Sequence, residues 1–274
     1  DSRYQFYMPE MNRSTNERLK LESALRRAIE QDELVLHYQP QADLKSGNII
    51  GFEALLRWQH PELGLVMPGK FIGLAEETGL IVPMGEWVLR EACRQSRAWT
   101  DAGLPMMPVA VNLSAKQFAS DIADRVSAIL AETGIDGARL ELELTESLSM
   151  DKPERTIEIL HALKHMGICL SIDDFGTGYS NLSYLKRFPV DKLKLDQSFV
   201  RDLAVSTEDQ SIARAVIAMG HALRLKVIAE GVETEAQRQI LASEACDEMQ
   251  GYLFSRPVPA DVCAQYLREG KRLI

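Results

Sequence analysis

Eight short strand-like runs alternate with amphipathic helical stretches, and this alternation restricts the fold of the chain more than any other feature of the sequence. The runs occupy residues 34–40, 49–57, 108–113, 139–145, 168–174, 191–196, 226–230 and 250–254. The clearest helical stretches are 83–101, 115–132, 153–166, 207–224 and 235–243. Eight strands with helices over about 240 residues predict a (β/α)8 barrel. A doubly wound open sheet is the alternative, although no glycine-rich turn follows the first strand.

The segment before the first strand predicts a linker. Residues 14–17 have capping-box spacing ahead of a helical pattern that includes Leu21 and Leu25, so we expect a helix over about 15–31. Residues 1–13 are aromatic and contain a proline, which favours the tail of a preceding domain. The predicted domains are therefore 1–13, a linker at 14–31 and the barrel at 32–274.

The charge and the cysteines limit the partners of the chain. Its 31 basic and 40 acidic residues give a net charge of −9, which argues against a nucleic-acid polymer or an anionic membrane as the main partner. No apolar run reaches the ~18 residues of a membrane span. The cysteines lack CxxC spacing and indicate reduced, structural thiols in a cytoplasmic domain: Cys93, Cys169, Cys246 and Cys263.

The alternation of side chains along the strands places polar groups on one face. Leu140, Leu142 and Leu144 share one face of their strand, which leaves Glu141 and Glu143 on the other. The same reading gives one inward polar residue late in each of six strands: Glu53, Asn112, Glu143, Asp173, Lys194 and Glu230. We expect them to meet at the C-terminal end of the barrel, where such folds build active sites.

Converging carboxylates at one end of a barrel indicate a metal site. They would repel one another unless cations neutralised them, and carboxylate and amide oxygens suit Mg²⁺ or Mn²⁺. The adjacent pair Asp173-Asp174 lets one carboxylate bridge two ions, and a two-metal site suits phosphodiester hydrolysis by an activated water. Lys194 either forms a structural salt bridge or acts beside the metals by orienting or deprotonating water or by neutralising phosphate charge. The glycines of residues 174–180 predict a shaped loop with a hinge.

Seven motifs resemble those of the EAL family of cyclic-di-GMP phosphodiesterases. In order they are FEALLRW at 52–58, VNLS at 111–114, ELTES at 143–147, DDFGTGYSNLSYL at 173–185, KLKLD at 192–196, AEGVET at 229–234 and QGYLFSRP at 250–257. The resemblance implies a modified TIM barrel with one antiparallel strand. The segment YQFYMPEMN at 4–12 resembles the end of a GGDEF domain, which implies a tandem parent with upstream GGDEF and sensory domains.

The resemblance also implies roles for individual residues. One metal would be held by Glu53, Asn112, Glu143 and Asp173. The second would be held by Asp173 as the bridge, Asp174 and Glu230. Lys194 corresponds to the lysine beside the catalytic water, with Glu53 and Glu230 as further catalytic groups, and Glu146 corresponds to the glutamate that tethers the DDFGTG loop. The substrate-side positions are Gln39, Arg57, Asn112 and Gln250. Gln41 stands where the family often has an aliphatic residue, which we expect to affect affinity.

The activity implied is hydrolysis of cyclic-di-GMP to linear 5′-pGpG with two Mg²⁺ or Mn²⁺ ions, and inhibition by Ca²⁺. The family also implies a homodimer through a helix at about 181–188, and leaves open an inner-membrane anchor in upstream regions of the parent. The alternatives are a receptor that binds the nucleotide without turnover and a scaffold module. Because no implied metal ligand is missing, we expect an active enzyme.

Overall fold

The strands form one sheet that closes into a barrel. The structure, a computed structural model, describes residues 9–118, 121–145, 153–176 and 182–273. Its strands are β1 (Leu34–Asp43), β2 (Ile49–His60), β3 (Gly64–Val66), β4 (Val109–Leu113), β5 (Leu140–Thr145), β6 (Cys169–Phe175), β7 (Lys192–Leu195), β8 (Lys226–Ala229) and β9 (Glu248–Gln250). All but β3 close the barrel, because β1 pairs with both β2 and β9. The barrel is therefore confirmed, and this closure excludes the doubly wound open sheet.

Strand β1 is the antiparallel strand that the resemblance implied. It runs antiparallel to β2 and β9, whereas the remaining barrel pairs are parallel. A short connection is sufficient for an antiparallel pair, and residues 44–48 join β1 to β2. Because β1 is reversed, its first residues lie at the rim formed by the C-terminal ends of the parallel strands.

Helices cover the outside of the barrel and bury the apolar faces of the strands. They are α1 (Pro9–Ala28), α2 (Ile72–Thr78), α3 (Ile81–Asp101), α4 (Ile122–Thr133), α5 (Pro153–His165), α6 (Leu182–Leu185), α7 (Gln197–Arg201), α8 (Thr207–Ala222), α9 (Glu235–Ser243) and α10 (Ala260–Glu269). Tyr38 of β1 and Phe52 of β2 each lie 5.1 Å from the ring of Trp99 on α3. The outward faces of the strands thus form the main hydrophobic core.

The largest differences from the predicted helix bounds are at the N-terminal ends of α1 and α4. Helix α1 includes residues 9–13, which the sequence predicts to be the tail of a preceding domain. Residues 1–8 lie outside the described residues, so the domain boundary stays a prediction. The helix predicted at 115–132 begins only at Ile122, because the chain first makes a turn in which the Gln117 N–H donates to the Ser114 carbonyl at 2.9 Å.

The last strand was predicted two residues too late along the chain. It covers Glu248–Gln250 rather than 250–254. A side chain at Gly251 would lie 2.1 Å from the Val232 carbonyl oxygen, so the backbones touch there and only glycine fits. The chain then turns, and the Phe254 N–H donates to the Gly251 carbonyl at 3.2 Å. The apolar residues after Gly251 therefore pack as a turn instead of extending the sheet.

The lower interior of the barrel holds a buried ionic layer. Lys192 Nζ lies 3.0 Å from carboxylate oxygens of both Glu141 and Glu248, and the two carboxylates are almost fully buried. Lys226 Nζ approaches Glu248 from the surface at 3.1 Å. Burial lowers the pKa of Lys192, but the charges of Glu141 and Glu248 outweigh it and raise that pKa above its ordinary value. Lys192 is therefore a permanent cation that compensates two buried anions.

We expect Lys192→Met to lower the free energy of unfolding by about 3–5 kcal/mol, because it leaves two buried carboxylates without their cation. The measurement is urea denaturation followed by circular dichroism. Lys226→Met is the matched control: Lys226 contacts the same glutamate, but its side chain is 65% exposed, so its loss should change stability by no more than about 1 kcal/mol. Equal effects of the two substitutions would contradict the buried charge compensation.

Candidate active site

Six polar residues from successive barrel strands meet at the C-terminal rim, as the alternation of side chains predicted. Five lie in β2, β4, β5, β6 and β7, and Glu230 follows β8 directly. Glu53, Glu143, Asp173 and Lys194 are buried, whereas Asn112 is exposed at the mouth of the barrel. The structure thus brings all six together, in a layer above the Lys192 cluster.

Lys194 occupies the centre of this layer. Its Nζ lies 2.7 Å from Glu143 Oε2, 2.7 Å from Glu230 Oε1 and 3.1 Å from Asp173 Oδ1, and its side chain is 1% exposed. Burial lowers the pKa of Lys194, but the four surrounding carboxylates, led by Glu143, outweigh it and raise that pKa well above its ordinary value. In this arrangement Lys194 is therefore a cation that holds three carboxylates together.

Amide side chains hold the carboxylate of Glu53 from two sides. Asn112 Nδ2 donates to Oε1 at 2.6 Å, and Gln250 Nε2 donates to Oε2. Burial raises the pKa of Glu53, but the charge of Lys194 and the bonds from Gln250 and Asn112 together bring it below its ordinary value. Glu53 therefore stays ionised, and each of its oxygens keeps a lone pair for another ligand.

The two adjacent aspartates reach the same site because the backbone departs from a regular strand. The pairing of β6 with β7 shifts register between Ile172 and Phe175. Asp174 has a left-handed backbone with φ of 54°, which aspartate tolerates better than most residues. Consecutive strand residues would otherwise face opposite ways. Carboxylate oxygens of Asp173, Asp174 and Glu230 consequently lie within 4.8 Å of one another.

This donor set fits hard divalent cations. All ligand atoms are carboxylate or amide oxygens, which Mg²⁺ and Mn²⁺ prefer. Glu143 is buried, and neither of its carboxylate oxygens has a hydrogen-bond donor in bonding geometry, although Lys194 is in ionic contact. Burial, followed by the charge of Glu53, raises the pKa of Glu143 well above its ordinary value. Burial and the charge of Asp173 raise the pKa of Glu230 to about 8, although the charge of Lys194 lowers it. Lys194 alone thus leaves negative charge that a cation would neutralise.

A cavity of about 300 Å³ opens directly onto these carboxylates. Its lining includes the predicted site residues Glu53, Asp173 and Glu230 and the predicted substrate-side residues Gln39 and Gln250. Leu55 separates it from a second cavity of about 290 Å³ that reaches Asn112. The first cavity thus reaches Glu53, Asp173 and Glu230, whereas Asn112 is the one predicted metal ligand that lines the second.

Arg57 supplies an unusual positive charge at the same rim. It lies near the end of β2 with 5% exposure, and its Nη1 donates to the Leu56 carbonyl at 2.8 Å. Within the described part of the chain no carboxylate forms an ion pair with its guanidinium. Burial lowers the pKa of Arg57, which the nearby groups Tyr252 and Glu53 only partly offset. A buried guanidinium without an ion pair favours an anionic ligand.

Some residues of the site were not predicted, and one prediction lies outside the described residues. Gln197, Glu233 and Tyr252 line the cavity, and the only available signal was that each comes soon after the end of a barrel strand. Glu146 falls in the undescribed segment 146–152, so its role stays a prediction.

The remainder of the described chain offers no comparable cluster. Two larger clefts, of about 650 and 680 Å³, lie between α1 and the β2–β3 hairpin, but they are away from the carboxylates. The four cysteines are free, and burial raises the pKa of Cys93, Cys246 and Cys263 to about 12 each, which agrees with structural thiols. Among the described helices, none has both the length and the apolar character needed to cross a membrane.

Two known proteins are similar to this chain over more than nine-tenths of its length. The bifunctional diguanylate cyclase/cyclic di-GMP phosphodiesterase MucR of Pseudomonas aeruginosa is 49% identical over 259 residues, which are 94% of this chain and 38% of that protein. The cyclic di-GMP phosphodiesterase PdeR of Escherichia coli is 44% identical over 255 residues, or 93% of this chain and 38% of PdeR. The chain thus spans little more than a third of either relative.

A solved structure and a family match cover the same region. The structure described as PaMucR phosphodiesterase, c-di-GMP complex, superposes with a TM-score of 0.86 at 50% identity, over 89% of this chain and 99% of that one. The EAL domain family matches residues 22–257. Because that match runs from α1 to the turn after β9 and so includes every barrel strand, the chain belongs to the EAL domain family.

Proposed function

We propose that this chain is a metal-dependent phosphodiesterase that hydrolyses cyclic-di-GMP to linear 5′-pGpG. The observation that carries the proposal is the cluster of carboxylates around Lys194, which lies beside a cavity lined by Glu53, Asp173 and Glu230. Two similar proteins support the substrate: MucR and PdeR bear the activity in their names, and the PaMucR structure is a c-di-GMP complex.

The donor set divides into two groups that share Asp173. One group is Glu53, Asn112, Glu143 and Asp173; the other is Asp173, Asp174 and Glu230. Bound Mg²⁺ or Mn²⁺ ions would supply an activated water and charge stabilisation for the leaving oxygen of the phosphodiester. Asn112 and Gln250 keep Glu53 oriented and ionised, so this ligand needs no rearrangement before binding.

Lys194 and Arg57 supply the positive charges of the chain itself. Lys194 would donate a hydrogen bond to the attacking water or to a phosphate oxygen. The sequence left a structural and a catalytic role open for Lys194. Its three carboxylate contacts also give it the structural role. Arg57 would bind a phosphate of the substrate, and Gln39 and Gln250 line the cavity at the carboxylates.

We expect turnover to require Mg²⁺ or Mn²⁺, because cations held by the carboxylates would lower the pKa of the attacking water and position it. Ca²⁺ should bind and inhibit, since its longer bonds and looser geometry misplace the nucleophile. The measurement is chromatographic detection of pGpG with each metal and with chelator. Full turnover in excess chelator would contradict the mechanism, and tight nucleotide binding without turnover would favour the receptor alternative.

We expect Lys194→Met to lower kcat by about 10²–10⁴-fold while the Ca²⁺-supported affinity for cyclic-di-GMP changes little, because affinity comes from many contacts. Glu53→Ala should instead abolish metal binding and activity together. Lys192→Met is the matched control, since it removes the buried lysine two residues earlier on β7. Assayed at a temperature where circular dichroism shows it folded, it should keep its kcat. A near-normal kcat for Lys194→Met would make the lysine purely structural.

The setting of the chain in a longer protein is also a proposal. MucR is named as bifunctional, and it exceeds this chain in length, which supports upstream GGDEF and sensory domains in a tandem parent. We place the phosphodiesterase domain in the cytoplasm, with any inner-membrane anchor in upstream regions. We further propose a homodimer through the segment at 181–188, where the described part contains the short helix α6.

We expect specific activity to rise with protein concentration, because dimer contacts at 181–188 adjoin the loop that follows Asp173 and Asp174. Sedimentation and activity should therefore change together across a dilution series.

Glu146→Ala should lose activity while every metal ligand remains. A monomer at full activity, or an unimpaired Glu146→Ala enzyme, would contradict the link between loop and metal site.

A further inference from the structure

Three buried glutamines form a chain of hydrogen bonds that ends on the metal ligand Glu53. Gln41 Nε2 donates to Gln250 Oε1 at 3.1 Å. Gln250 Nε2 donates both to Gln39 Oε1 at 3.1 Å and to Glu53 Oε2. Gln39 Nε2 donates to the Ser255 carbonyl at 3.1 Å. Gln41 is 1% exposed and does not line the cavity at the site, so it reaches the site only through Gln250.

The direction of every bond in this chain is fixed by its two ends. An ionised Glu53 and a backbone carbonyl can only accept hydrogen bonds. The nitrogen of Gln250 must therefore face Glu53, and the nitrogen of Gln39 must face Ser255. This leaves the oxygen of Gln250 pointing at Gln41, which has to donate. A Gln250 amide turned the other way would place its oxygen against the carboxylate of Glu53.

The barrel provides a specific place for Gln41. It lies on β1 between Gly51 of β2 and Gln250 of β9, in register with both. A side chain at Gly51 would come within 3.2 Å of Gln41 Oε1, so the glycine leaves the room that the amide occupies. The backbone of Gln250 is held as well, since its carbonyl accepts from Val232 N–H at 3.1 Å.

We infer that Gln41 is a positioning residue that orients the Gln250 amide and thereby fixes Glu53 for metal binding. The inference rests on the proposed function, because it assigns Glu53 to a metal. An apolar side chain at position 41 would leave the buried oxygen of Gln250 without a donor and would remove the bond that opposes rotation of the amide.

The test is a double-mutant cycle on metal affinity, measured without substrate by Mn²⁺ electron paramagnetic resonance. Gln41→Met should weaken Mn²⁺ binding by about two- to tenfold, the loss of one hydrogen bond. Gln250→Met should weaken it by about ten- to a hundredfold, as for other partners of a metal ligand. The double variant should bind no worse than Gln250→Met, because Gln41 acts only through Gln250.

Gln237→Met is the matched control. Gln237 is an equally buried glutamine that closes the capping box of α9, so its loss should lower stability without changing Mn²⁺ affinity. Unchanged affinity in Gln41→Met, or additive losses in the double variant, would overturn the inference. A wild-type chain that binds no Mn²⁺ would overturn the proposed function.

A second measurement, which needs no metal, tests whether Gln41 holds the side-chain amide of Gln250 in place. In the wild type, both side-chain N–H protons of Gln250 are bonded and buried, so nuclear magnetic resonance should show a slowly exchanging carboxamide. Gln41→Met should speed that exchange at least severalfold, whereas Gln237→Met should leave it unchanged. The same exchange rate in wild type and Gln41→Met would overturn the role of Gln41.

Discussion

Charge compensation inside the barrel governs the rest of this structure. Many (β/α)8 barrels fill their interior with branched aliphatic side chains, but this one places carboxylates in two layers and sets a lysine in each. Lys192 compensates Glu141 and Glu248 below, and Lys194 contacts three carboxylates above. Buried ions of one sign would destabilise the fold by several kcal/mol each without such partners. The two layers differ in how completely their buried charges are compensated, and this difference distinguishes the structural layer from the candidate active site.

The lower layer is close to neutral, because Lys226 adds a second positive charge at its edge. The upper layer gathers four carboxylates around one ammonium, and burial together with the charges of neighbouring carboxylates raises the pKa of Glu143 and Glu230. An arrangement of this kind is unfavourable for the chain alone and favourable once cations bind. The upper layer also faces a cavity, whereas the lower one is enclosed by the strands.

The reversed strand β1 connects the fold to the chemistry. It closes the barrel, and its inward residues Gln39 and Gln41 stand beside Glu53 and Gln250. Amides are suited to this place because they donate to a carboxylate without adding charge. The strand pairs that close the barrel therefore also place the glutamines that orient Glu53. The arrangement of the site forms only when the barrel closes.

The sequence by itself determined the barrel and the inventory of the site. The alternation of runs predicted eight strands, and strict two-residue periodicity predicted that Glu53, Glu143, Asp173 and Lys194 face inward, because parity depends only on neighbouring residues. Two-residue periodicity could not predict the turn after Gln250, because this turn depends on contact between Gly251 and Val232, which are distant in sequence. Glu141 was assigned to the inward face, but its pairing with Lys192 required the radial arrangement of separate strands.

The tertiary structure alone decided which polar groups meet and in what state. Parity places Asp173 and Asp174 on opposite faces, and only the register shift in β6 with the left-handed backbone of Asp174 brings both to one site. Local sequence likewise carries no information on whether Lys194 is neutral or charged, since that depends on carboxylates from three other strands or strand ends. Nor does it show that Gln41 donates to Gln250, a contact across 209 positions of the chain. Local periodicity fixes the face on which a side chain lies, whereas charge state and hydrogen-bond partners depend on distances that exist only after the barrel has closed.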